Sequence, residues 1–500
     1  MLTGNLPKLL AFSGSAPSAI GVAAARSLCS GGVLVAHSTP GPGMHSAARD
    51  APRAVAAAEE GVANPTRSGS DDAHPGYVPE PTEPGDRRHR LVIVGSGWGG
   101  FSLLKYADAK RVHVSMVSAR PFFLFTPLLA STCVGTLEFR SIQEPVRNMR
   151  FPNEGDFHQA IVTGVDTSKQ LLLCQSALDA SYKYSVHYDT LVLGVGMRPN
   201  TFNIEGVTKY GHFLKELADA RAIRVHLLRN LELACEPGVS AEERQRLLTV
   251  VIAGGGATGV EFGAELHDFL VQDLPKLYPH LQDHIRIVLV EPNDILGAFD
   301  SRLRTFAERK IRQRRDMTIV RKFIVDVTEK NVHFKDGTTH PFGVLVWVTG
   351  LAPSPLAVSL SQFPKNKQHQ FVVDQQLRVT GIPNVYALGD CAAMTPALPC
   401  TAQVAERQGR YLASVLSNLG SDSAAVASAP PFVFKSMGMM AYVGDHDAIS
   451  DLPVTKLSGI MAWWLWFSAY LTRLGAWRLR LQVPFDWFRS RLFGRDISRF

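Results

Sequence analysis

Short apolar runs alternate with segments of helical periodicity along most of the chain. The run Leu91–Val94 has the length and composition of a buried parallel strand. A glycine-rich turn, Gly95–Gly100, follows it, and Phe101–Ala109 continues with the spacing of a helix. The same order recurs from Val250–Ala253 through a second glycine turn at Gly254–Gly259. This pattern predicts an α/β fold with two Rossmann-like dinucleotide-binding domains.

Both turns have the spacing G-x-G-x-x-G, for which dinucleotide binding gives a physical reason. The first glycine permits a tight turn, the second lets a pyrophosphate approach the backbone, and the third lets the helix pack close to the strand. Two unrelated glycine turns are the alternative, but each turn lies between a strand and a helix, which favours two bound dinucleotides. The residues concerned are Gly95, Gly97, Trp98 and Gly100 in the first turn and Gly254, Gly256 and Gly259 in the second.

The residue at the end of the next strand differs between the two units. Val112–Val117 predicts a strand that ends at Ser118, where a dinucleotide ribose usually meets an acidic residue. In the second unit, Ile285–Val290 runs into Glu291, whose carboxylate can hold both ribose hydroxyls and would repel a 2′-phosphate. The second turn is therefore predicted to bind NADH rather than NADPH, with an exposed glutamate beside a turn as the alternative.

Two further features predict surroundings for the bound dinucleotides. The apolar loop Pro121–Thr136, with Thr126 and Pro127 at its centre, is either core packing or a wall against a flat ring. Two strands end in glycine, at Gly196 and Gly350, and these glycines are predicted to close the first and second dinucleotide regions.

A third phrase, Asn384–Asp390, carries an apolar strand into Gly389 and Asp390. An ionised aspartate only accepts hydrogen bonds, so Asp390 can accept one from a ribityl hydroxyl. Alone this is a common turn, but its place after the two glycine turns favours a flavin site.

The first 89 residues differ in composition from the rest. Residues 1–48 contain Lys8 and Arg26 but no Asp or Glu, which is typical of an organelle transit peptide. We predict a transit peptide over 1–53, mitochondrial with a chloroplast address as the alternative, and a disordered linker over 54–89. A plain disordered tail is the other interpretation of this region.

The C-terminal region combines aromatic and basic residues. Its most apolar run, Gly459–Leu471, has 13 residues, fewer than the roughly 20 that span a bilayer. Residues 456–500 hold eight Lys or Arg against two Asp, most of the chain's net charge of +7. We therefore predict two amphipathic helices, separated at Pro484, that lie in an anionic membrane surface. The apolar stripe expected to face the lipid is Trp463, Trp466, Phe467, Tyr470, Leu474 and Trp477.

Other partners and cofactors are less well supported. The alternatives for the C-terminal helices are a homodimer interface, which is compatible with membrane contact, and a core helix, against which the arginines between the aromatic residues argue. No nucleic-acid motif accompanies the basic residues. None of the six cysteines forms a C-x-x-C pair, so no metal site and no iron–sulfur cluster is predicted. No C-x-x-x-x-C pair occurs near Ser118–Cys133, which argues against a disulfide reductase.

Taken in order, these phrases resemble the type II (alternative, rotenone-insensitive) NADH:ubiquinone oxidoreductases over Arg90–Phe500. The resemblance implies FAD at the first turn, NADH at the second and ubiquinone as the electron acceptor. The motifs that carry it are GSGWGG at Gly95–Gly100, FLFTPLL at Phe123–Leu129, PNTF at Pro199–Phe202, GHFLKE at Gly211–Glu216, AGGGATGVE at Ala253–Glu261, ALGD at Ala387–Asp390, TAQVA at Thr401–Ala405 and FDW at Phe485–Trp487.

The resemblance also implies roles for single residues. Ala402 and Gln403 are expected to contact the flavin and the quinone, and Glu261 to lie over the nicotinamide side of the flavin. The alternative for Glu261, and for Glu265 one turn further, is an exposed carboxylate on the helix surface. Many relatives have a second glutamine where this chain has Arg407, which departs from the family at the quinone head group. Tyr470 is placed to line the access of quinone to the flavin.

The resulting prediction is a peripheral flavoenzyme of the mitochondrial inner membrane that does not pump protons. Its FAD-binding domain is expected in two parts, 90–246 and 351–455, around an NADH-binding domain at 247–350, with membrane-anchoring helices at 456–500. The alternatives are an NAD(P)H-dependent quinone reductase of the apoptosis-inducing-factor kind, against which Glu291 and the long C-terminal region argue, and a redox-sensing FAD- and NADH-binding protein of low turnover.

Overall fold

The computed structural model describes residues 76–79, 88–149, 151, 156–419, 426 and 428–498. The predicted transit peptide and most of the predicted linker lie outside the described residues. Among the described residues the strands are, in chain order, β1 Val78–Pro79, β2 His89–Val94, β3 Val112–Val117, β4 Phe122–Leu124, β5 Gln143–Pro145, β6 Phe157–His158, β7 Ala160–Asp166, β8 Leu171–Ser176, β9 Lys183–His187, β10 Thr190–Leu193, β11 Met197–Pro199, β12 Gly211–Phe213, β13 Thr249–Ala253, β14 Arg286–Val290, β15 Met317–Val320, β16 Ile324–Val327, β17 Asn331–Phe334, β18 Thr339–Pro341, β19 Val344–Trp347, β20 Leu351–Pro353, β21 Phe371–Val372, β22 Val385–Ala387, β23 Ala392–Ala393, β24 Met439–Gly444, β25 Asp447–Asp451 and β26 Lys456–Gly459.

The α-helices among the described residues range from four to 19 residues in length. They are α1 Trp98–Tyr106, α2 Leu129–Cys133, α3 Glu205–Tyr210, α4 Leu217–Cys235, α5 Ala241–Leu247, α6 Ala257–Gln272, α7 Leu274–Leu277, α8 Ser301–Arg312, α9 Pro355–Ser359, α10 Ala402–Leu419, α11 Ile460–Arg473 and α12 Trp477–Phe493.

The first sheet has the order β22-β10-β2-β3-β6, and its paired strands are parallel. Leu91 and Ile93 of β2 are fully buried, as expected for an apolar run covered on both faces. A second, four-stranded sheet has the order β1-β9-β8-β7. Its strand β1 lies inside the predicted linker and pairs with Tyr184 and Ser185 of β9, so the prediction of disorder is wrong at Val78–Pro79 because their backbone completes this sheet edge.

The sheet behind the second glycine turn has the order β12-β19-β13-β14-β15, again with parallel neighbours. Strand β12 comes long before the predicted boundary at residue 246, yet it pairs with β19, where Gly211 lies opposite Leu345. That boundary is therefore wrong: the short run Gly211–Phe213 belongs to the second sheet, together with the helix that follows it.

Strands β11 and β20 connect the two sheets as an antiparallel ribbon. Met197 pairs with Pro353 and Pro199 with Leu351. The chain thus enters and leaves the second sheet along neighbouring strands. We call the residues between β11 and β20 the inserted domain.

The last part of the chain forms a three-stranded antiparallel sheet, β24-β25-β26, followed by α11 and α12. Lys456 of β26 pairs with Asp451 of β25. The predicted boundary between 455 and 456 is therefore wrong, because it separates two paired strands. We call β24 to α12 the C-terminal domain.

Pro484 does not separate the two C-terminal helices. Helix α12 continues through it, and the break lies between Arg473 and Trp477. Buried Leu479 and Val483 anchor the turns around the proline, and this packing compensates for the lost backbone hydrogen bond. At the actual break, a β-carbon on Gly475 would lie 2.7 Å from the Glu144 carboxylate, which explains a glycine there.

The aromatic stripe expected to face lipid packs largely inward. Trp466 is only 4% exposed and stacks on Tyr442, with ring centroids 5.5 Å apart. Tyr470 packs edge-on against Phe125, and Leu474 is buried in the turn. The prediction was wrong because helical spacing identifies an apolar stripe but not the surface that covers it. No helix among the described residues has the length and hydropathy of a membrane span.

Candidate functional site

The first glycine turn has the geometry that its spacing predicts. Gly95 has a φ of +102°, and a β-carbon on it would collide with the carbonyl oxygen of Gly194. A β-carbon on Gly100 would collide with the carbonyl oxygen of Gly95. By contrast, apart from its chain neighbours, no described residue lies within 4 Å of a β-carbon placed on Gly97. The open space is thus at the second glycine, where a pyrophosphate would approach.

The second glycine turn repeats this arrangement. Gly254 has a φ of +120°, and a β-carbon on Gly259 would collide with the carbonyl oxygen of Gly254. The space around Gly256 is again open to 4 Å. Helices α1 and α6 begin directly after the second glycine of each turn, so their free N–H groups lie at that opening. Both cradles therefore fit a dinucleotide.

The residues at the two strand ends, Ser118 and Glu291, make different hydrogen bonds. The hydroxyl of Ser118 donates to the hydroxyl of Ser96 over 3.0 Å. The carboxylate of Glu291 accepts hydrogen bonds from the backbone N–H groups of Gly255, at 2.9 Å, and Asn293, at 3.0 Å. Glu291 therefore lies against the second glycine turn, and the serine leaves no negative charge at the matching place in the first.

One cavity of about 720 Å³ joins the first glycine turn to the inserted domain and to the C-terminal helices. The apolar loop contributes to its wall, where the indole N–H of Trp98 donates to the hydroxyl of Thr126 over 3.0 Å. A cavity of this size, with an apolar wall beside a glycine turn, suits a dinucleotide that carries a flat ring system. The predicted site residues that line it are Gly95, Gly97, Trp98, Ser118, Thr126, Pro127, Gly196, Glu261, Gly350, Gly389, Asp390, Ala402 and Tyr470.

The other predicted site residues lie near this cavity without lining it. Gly100 packs against the first turn, and Gly254, Gly256, Gly259 and Glu291 form the second turn and its strand end. Gln403 is the remaining one. Its amide donates to the carbonyl of Gly438 over 2.8 Å and accepts from the N–H of Met437 over 3.3 Å, so its side chain holds the start of the C-terminal domain.

Helix α10 begins at Ala402, so the predicted contact residues Ala402 and Gln403 lie in its first turn. Arg407 contacts the carbonyl of Lys435 and the ring of Phe434, and it does not line the cavity. The neighbouring Gln408 is buried, and its amide oxygen accepts a 2.7 Å hydrogen bond from the N–H of Gly389. The glutamine of this helix turn therefore supports the Gly389–Asp390 phrase.

Glu261 lines the cavity from the first turns of α6. Burial raises its pKa to about 8, although the N–H of Tyr442 donates to the carboxylate over 3.2 Å and opposes the shift. Glu261 therefore holds a proton at neutral pH. A protonated carboxyl group can donate a hydrogen bond to a carbonyl oxygen in the cavity.

Glu265 lies one helical turn further and is fully inside the protein. Its carboxylate accepts hydrogen bonds of 2.7 Å from the hydroxyls of Ser131 and Thr136. Burial raises its pKa as well, partly opposed by the guanidinium of Arg495. Glu265 thus joins α6 to the apolar loop instead of facing solvent.

Three charged residues on the cavity wall had no predicted role. They are Arg120, Lys215 and Glu216. Lys215 lies 3.6 Å from the carboxylate of Asp390, and Arg120 forms a 2.5 Å ion pair with Glu216. The paired residues are far apart along the chain, so local sequence patterns do not predict that they meet. The only signal was the GHFLKE phrase, which includes two of these residues.

Two dinucleotide cradles, with a cavity lined by the first turn and by the helix that follows the second, define a flavoenzyme with two dinucleotide-binding domains. Residues 89–409 match the family model described as Pyridine nucleotide-disulphide oxidoreductase, and residues 437–496 match the NDH2 C-terminal domain. The chain belongs to the pyridine nucleotide-disulphide oxidoreductases and, among them, to the type II NADH dehydrogenases. The predicted family, fold class and cofactors, FAD and NADH, are confirmed.

Relatives cover most of the chain. It is 41% identical over 441 residues to the internal alternative NAD(P)H-ubiquinone oxidoreductase A1, mitochondrial, of Solanum tuberosum, covering 83% of this chain and 88% of that one. It is 38% identical to the external NADH-ubiquinone oxidoreductase 2, mitochondrial, of Saccharomyces cerevisiae, with 85% of each chain covered. The structure of NDH2 from Plasmodium falciparum in complex with NADH matches with a TM-score of 0.78 at 27% identity, covering 82% of this chain and all of that one.

Proposed function

We propose that this protein oxidises NADH with the help of FAD and reduces ubiquinone at a membrane surface, without pumping protons. The observation that carries this proposal is the shared cavity. It is lined by Gly97 of the first turn, by Glu261 of the helix after the second turn, and by Tyr470 of α11. Both the soluble donor and an acceptor arriving along the C-terminal helices can thus reach one place.

Different residues would hold the two cofactors. The first turn, the apolar loop and the Gly389–Asp390 phrase would hold FAD, and the second turn, Glu291 and Gly350 would hold NADH. When bound, FAD supplies the two-electron chemistry between donor and acceptor. The chain orients the two rings, excludes water with the apolar wall, and provides the proton of Glu261 beside the reacting groups.

The acceptor is proposed from the relatives and from the C-terminal domain. The potato and yeast relatives are named as ubiquinone oxidoreductases, and the match to the NDH2 C-terminal domain covers α11 and α12. This match favours a quinone reductase over a redox-sensing protein of low turnover.

A stopped-flow experiment tests the function directly. NADH should bleach the flavin absorbance within milliseconds to seconds, and a short-chain ubiquinone should restore it. A protein that is bleached by NADH but not reoxidised by quinone would contradict the proposed acceptor. Membrane potential measured in liposomes should stay at zero during turnover.

The docking surface is proposed on α12. Its exposed apolar residues recur every three or four positions, and Trp477 is 75% exposed. Arg480 and Arg491 are exposed beside them, whereas Arg489 and Arg495 form ion pairs with Glu138 and Asp273. The stripe comprises Trp477, Leu481, Phe485, Phe488 and Leu492.

We infer that this stripe lies in the anionic surface of the mitochondrial inner membrane. Replacing Leu481 and Phe488 by serine should reduce sedimentation with anionic vesicles about tenfold. Leu178→Ser is the matched control, because Leu178 is 78% exposed on a distant hairpin. A stable dimer in solution that covers the α12 stripe would contradict membrane docking at this face.

A further inference from the structure

The turn Lys215–Glu216 has no role in the function described so far. It ends the GHFLKE phrase and lies between β12 and α4 of the inserted domain. Its two side chains nevertheless line the cavity that would hold FAD.

Local hydrogen bonds fix this turn. The carboxylate of Asp219 accepts from the N–H groups of Lys215, at 2.9 Å, and Glu216, at 2.8 Å. The Glu216 side chain in turn accepts from the N–H of Asp219, which completes a capping box at the start of α4. Leu214 and Leu217 on either side are buried. The backbone of the turn is thus held before any ligand binds.

From this fixed turn, the two side chains reach two separate parts of the first nucleotide site. The ammonium of Lys215 lies 3.6 Å from the carboxylate of Asp390, which follows β22. Glu216 pairs at 2.5 Å with Arg120, just beyond Ser118 at the end of β3. The guanidinium of Arg120 also donates to the carbonyl of Phe122 over 3.0 Å, which sets its direction.

Most of the acidic and basic residues on the cavity wall belong to these two ion pairs. Among the described residues, the acidic and basic ones that line the cavity are Arg120, Lys215, Glu216, Asp390 and the protonated Glu261. Four of them form the two ion pairs, and both pairs cross from the inserted domain to the sheet of the first turn. One pair joins the segment after β12 to the end of β22, and the other joins it to the end of β3.

We propose that Lys215 and Glu216 are positioning residues of the FAD site, so that the inserted domain keeps the cofactor of the other sheet in place. The proposal rests on FAD binding at the first turn, as proposed above. Lys215 fixes the direction of the Asp390 carboxylate, which is left to accept from the cofactor with its remaining lone pairs. Glu216 fixes Arg120, which follows the end of β3. Neither residue takes part in electron transfer.

The test compares FAD retention in the full-length holoenzyme. Lys215→Gln combined with Glu216→Gln removes both ion pairs and keeps the side-chain sizes. The rate of FAD dissociation, followed by flavin fluorescence in the presence of an apoflavoprotein trap, should rise about tenfold, because Asp390 and Arg120 both lose the charged partner that orients them. The visible circular dichroism of the bound flavin should change as Asp390 loses its orientation.

Matched variants separate positioning from general stability. Lys215→Arg keeps the cation and should restore retention to within twofold of the wild type. Lys169→Gln with Glu236→Gln makes the same charge change at exposed positions away from the cavity and should leave retention unchanged. The Lys215→Gln single variant serves if the double variant does not fold.

Several outcomes would overturn the proposal. These are a dissociation rate within twofold of the wild type in the double variant, an equal acceleration in the control, or no recovery with arginine. Failure of the underlying function is distinguishable, because the wild-type protein would then be purified without flavin.

Discussion

The two glycine turns have nearly the same backbone, but different side chains surround them. In both, the first glycine has a positive φ and the third packs against the first. Two residues after the third glycine, α1 has Ser102, which is buried and donates to the carbonyl of Glu406. At the same place α6 has Glu261, which lines the cavity. The strand ends differ as well, with Ser118 against Glu291.

This difference shows which residues determine the cofactor and the chemistry of each turn. The glycine pattern provides a cradle for any pyrophosphate, because it exposes backbone N–H groups without using side chains. The choice of cofactor and the chemistry depend on positions outside the pattern.

The largest effect is expected from alanine at the third glycine of either turn. Gly100→Ala places a methyl group against the Gly95 carbonyl and should yield protein that has lost most of its FAD. Gly259→Ala makes the same clash in the second turn and should leave a yellow protein whose Kd for NADH rises about 100-fold. Flavin content and NADH titration measure the two losses. Loss of FAD from both variants alike would show that the two cradles do not act separately.

The next effect concerns Glu261, the side chain that distinguishes α6 from α1. Glu261→Gln removes the proton and should lower kcat for quinone reduction about 100-fold while FAD stays bound. Because the pKa is about 8, wild-type activity should fall as the pH rises through that value. The variant should lack this limb of the pH profile. Ser102→Ala is the control at the matching position and should keep the profile.

The same carboxyl group should affect stability in a defined direction. Its pKa in the folded protein lies above the ordinary value of 4.5, so the folded state binds the proton more tightly than the unfolded chain. The free energy of unfolding should therefore fall as the pH rises from about 4.5 to about 8. Denaturant titrations of the Glu261→Gln variant should show a flatter dependence over this range.

A smaller effect is expected from giving the second turn the strand-end residue of the first. Glu291→Ser removes the charge that would repel a 2′-phosphate, so the preference for NADH over NADPH, as a ratio of kcat/KM, should fall about tenfold. Glu291→Gln should fall between the two, since it keeps an oxygen for the Gly255 and Asn293 amides. An unchanged ratio in both variants would remove Glu291 from cofactor choice.

The smallest effect is expected at Gln403, beside the first turn. Its side chain contacts Met437 and Gly438 instead of the cavity, so Gln403→Ala should raise the KM for quinone about threefold by loosening the C-terminal domain. FAD and NADH binding should be unchanged. A large loss of kcat would instead indicate direct contact with the quinone.

Local patterns predicted the parts of the molecule that depend on neighbouring residues in the chain. Strands β2 and β13 and both glycine turns follow from short phrases, since strand burial and turn geometry are local properties. Strand β12 was missed because three residues have no readable period, and only pairing with β19 defines it. The inward-facing stripe of Trp466 and the pair of Lys215 with Asp390 depend on contacts between distant segments.

The ribbon formed by β11 and β20 has a practical consequence. Because the inserted domain begins and ends at the paired strands β11 and β20, it can be replaced as a unit through two neighbouring junctions. A pyridine-nucleotide module from a relative of different coenzyme preference could be grafted at Met197 and Pro353. Such a chimera would need its own lysine and glutamate to meet Asp390 and Arg120, or it would lose the flavin that its new module is meant to reduce.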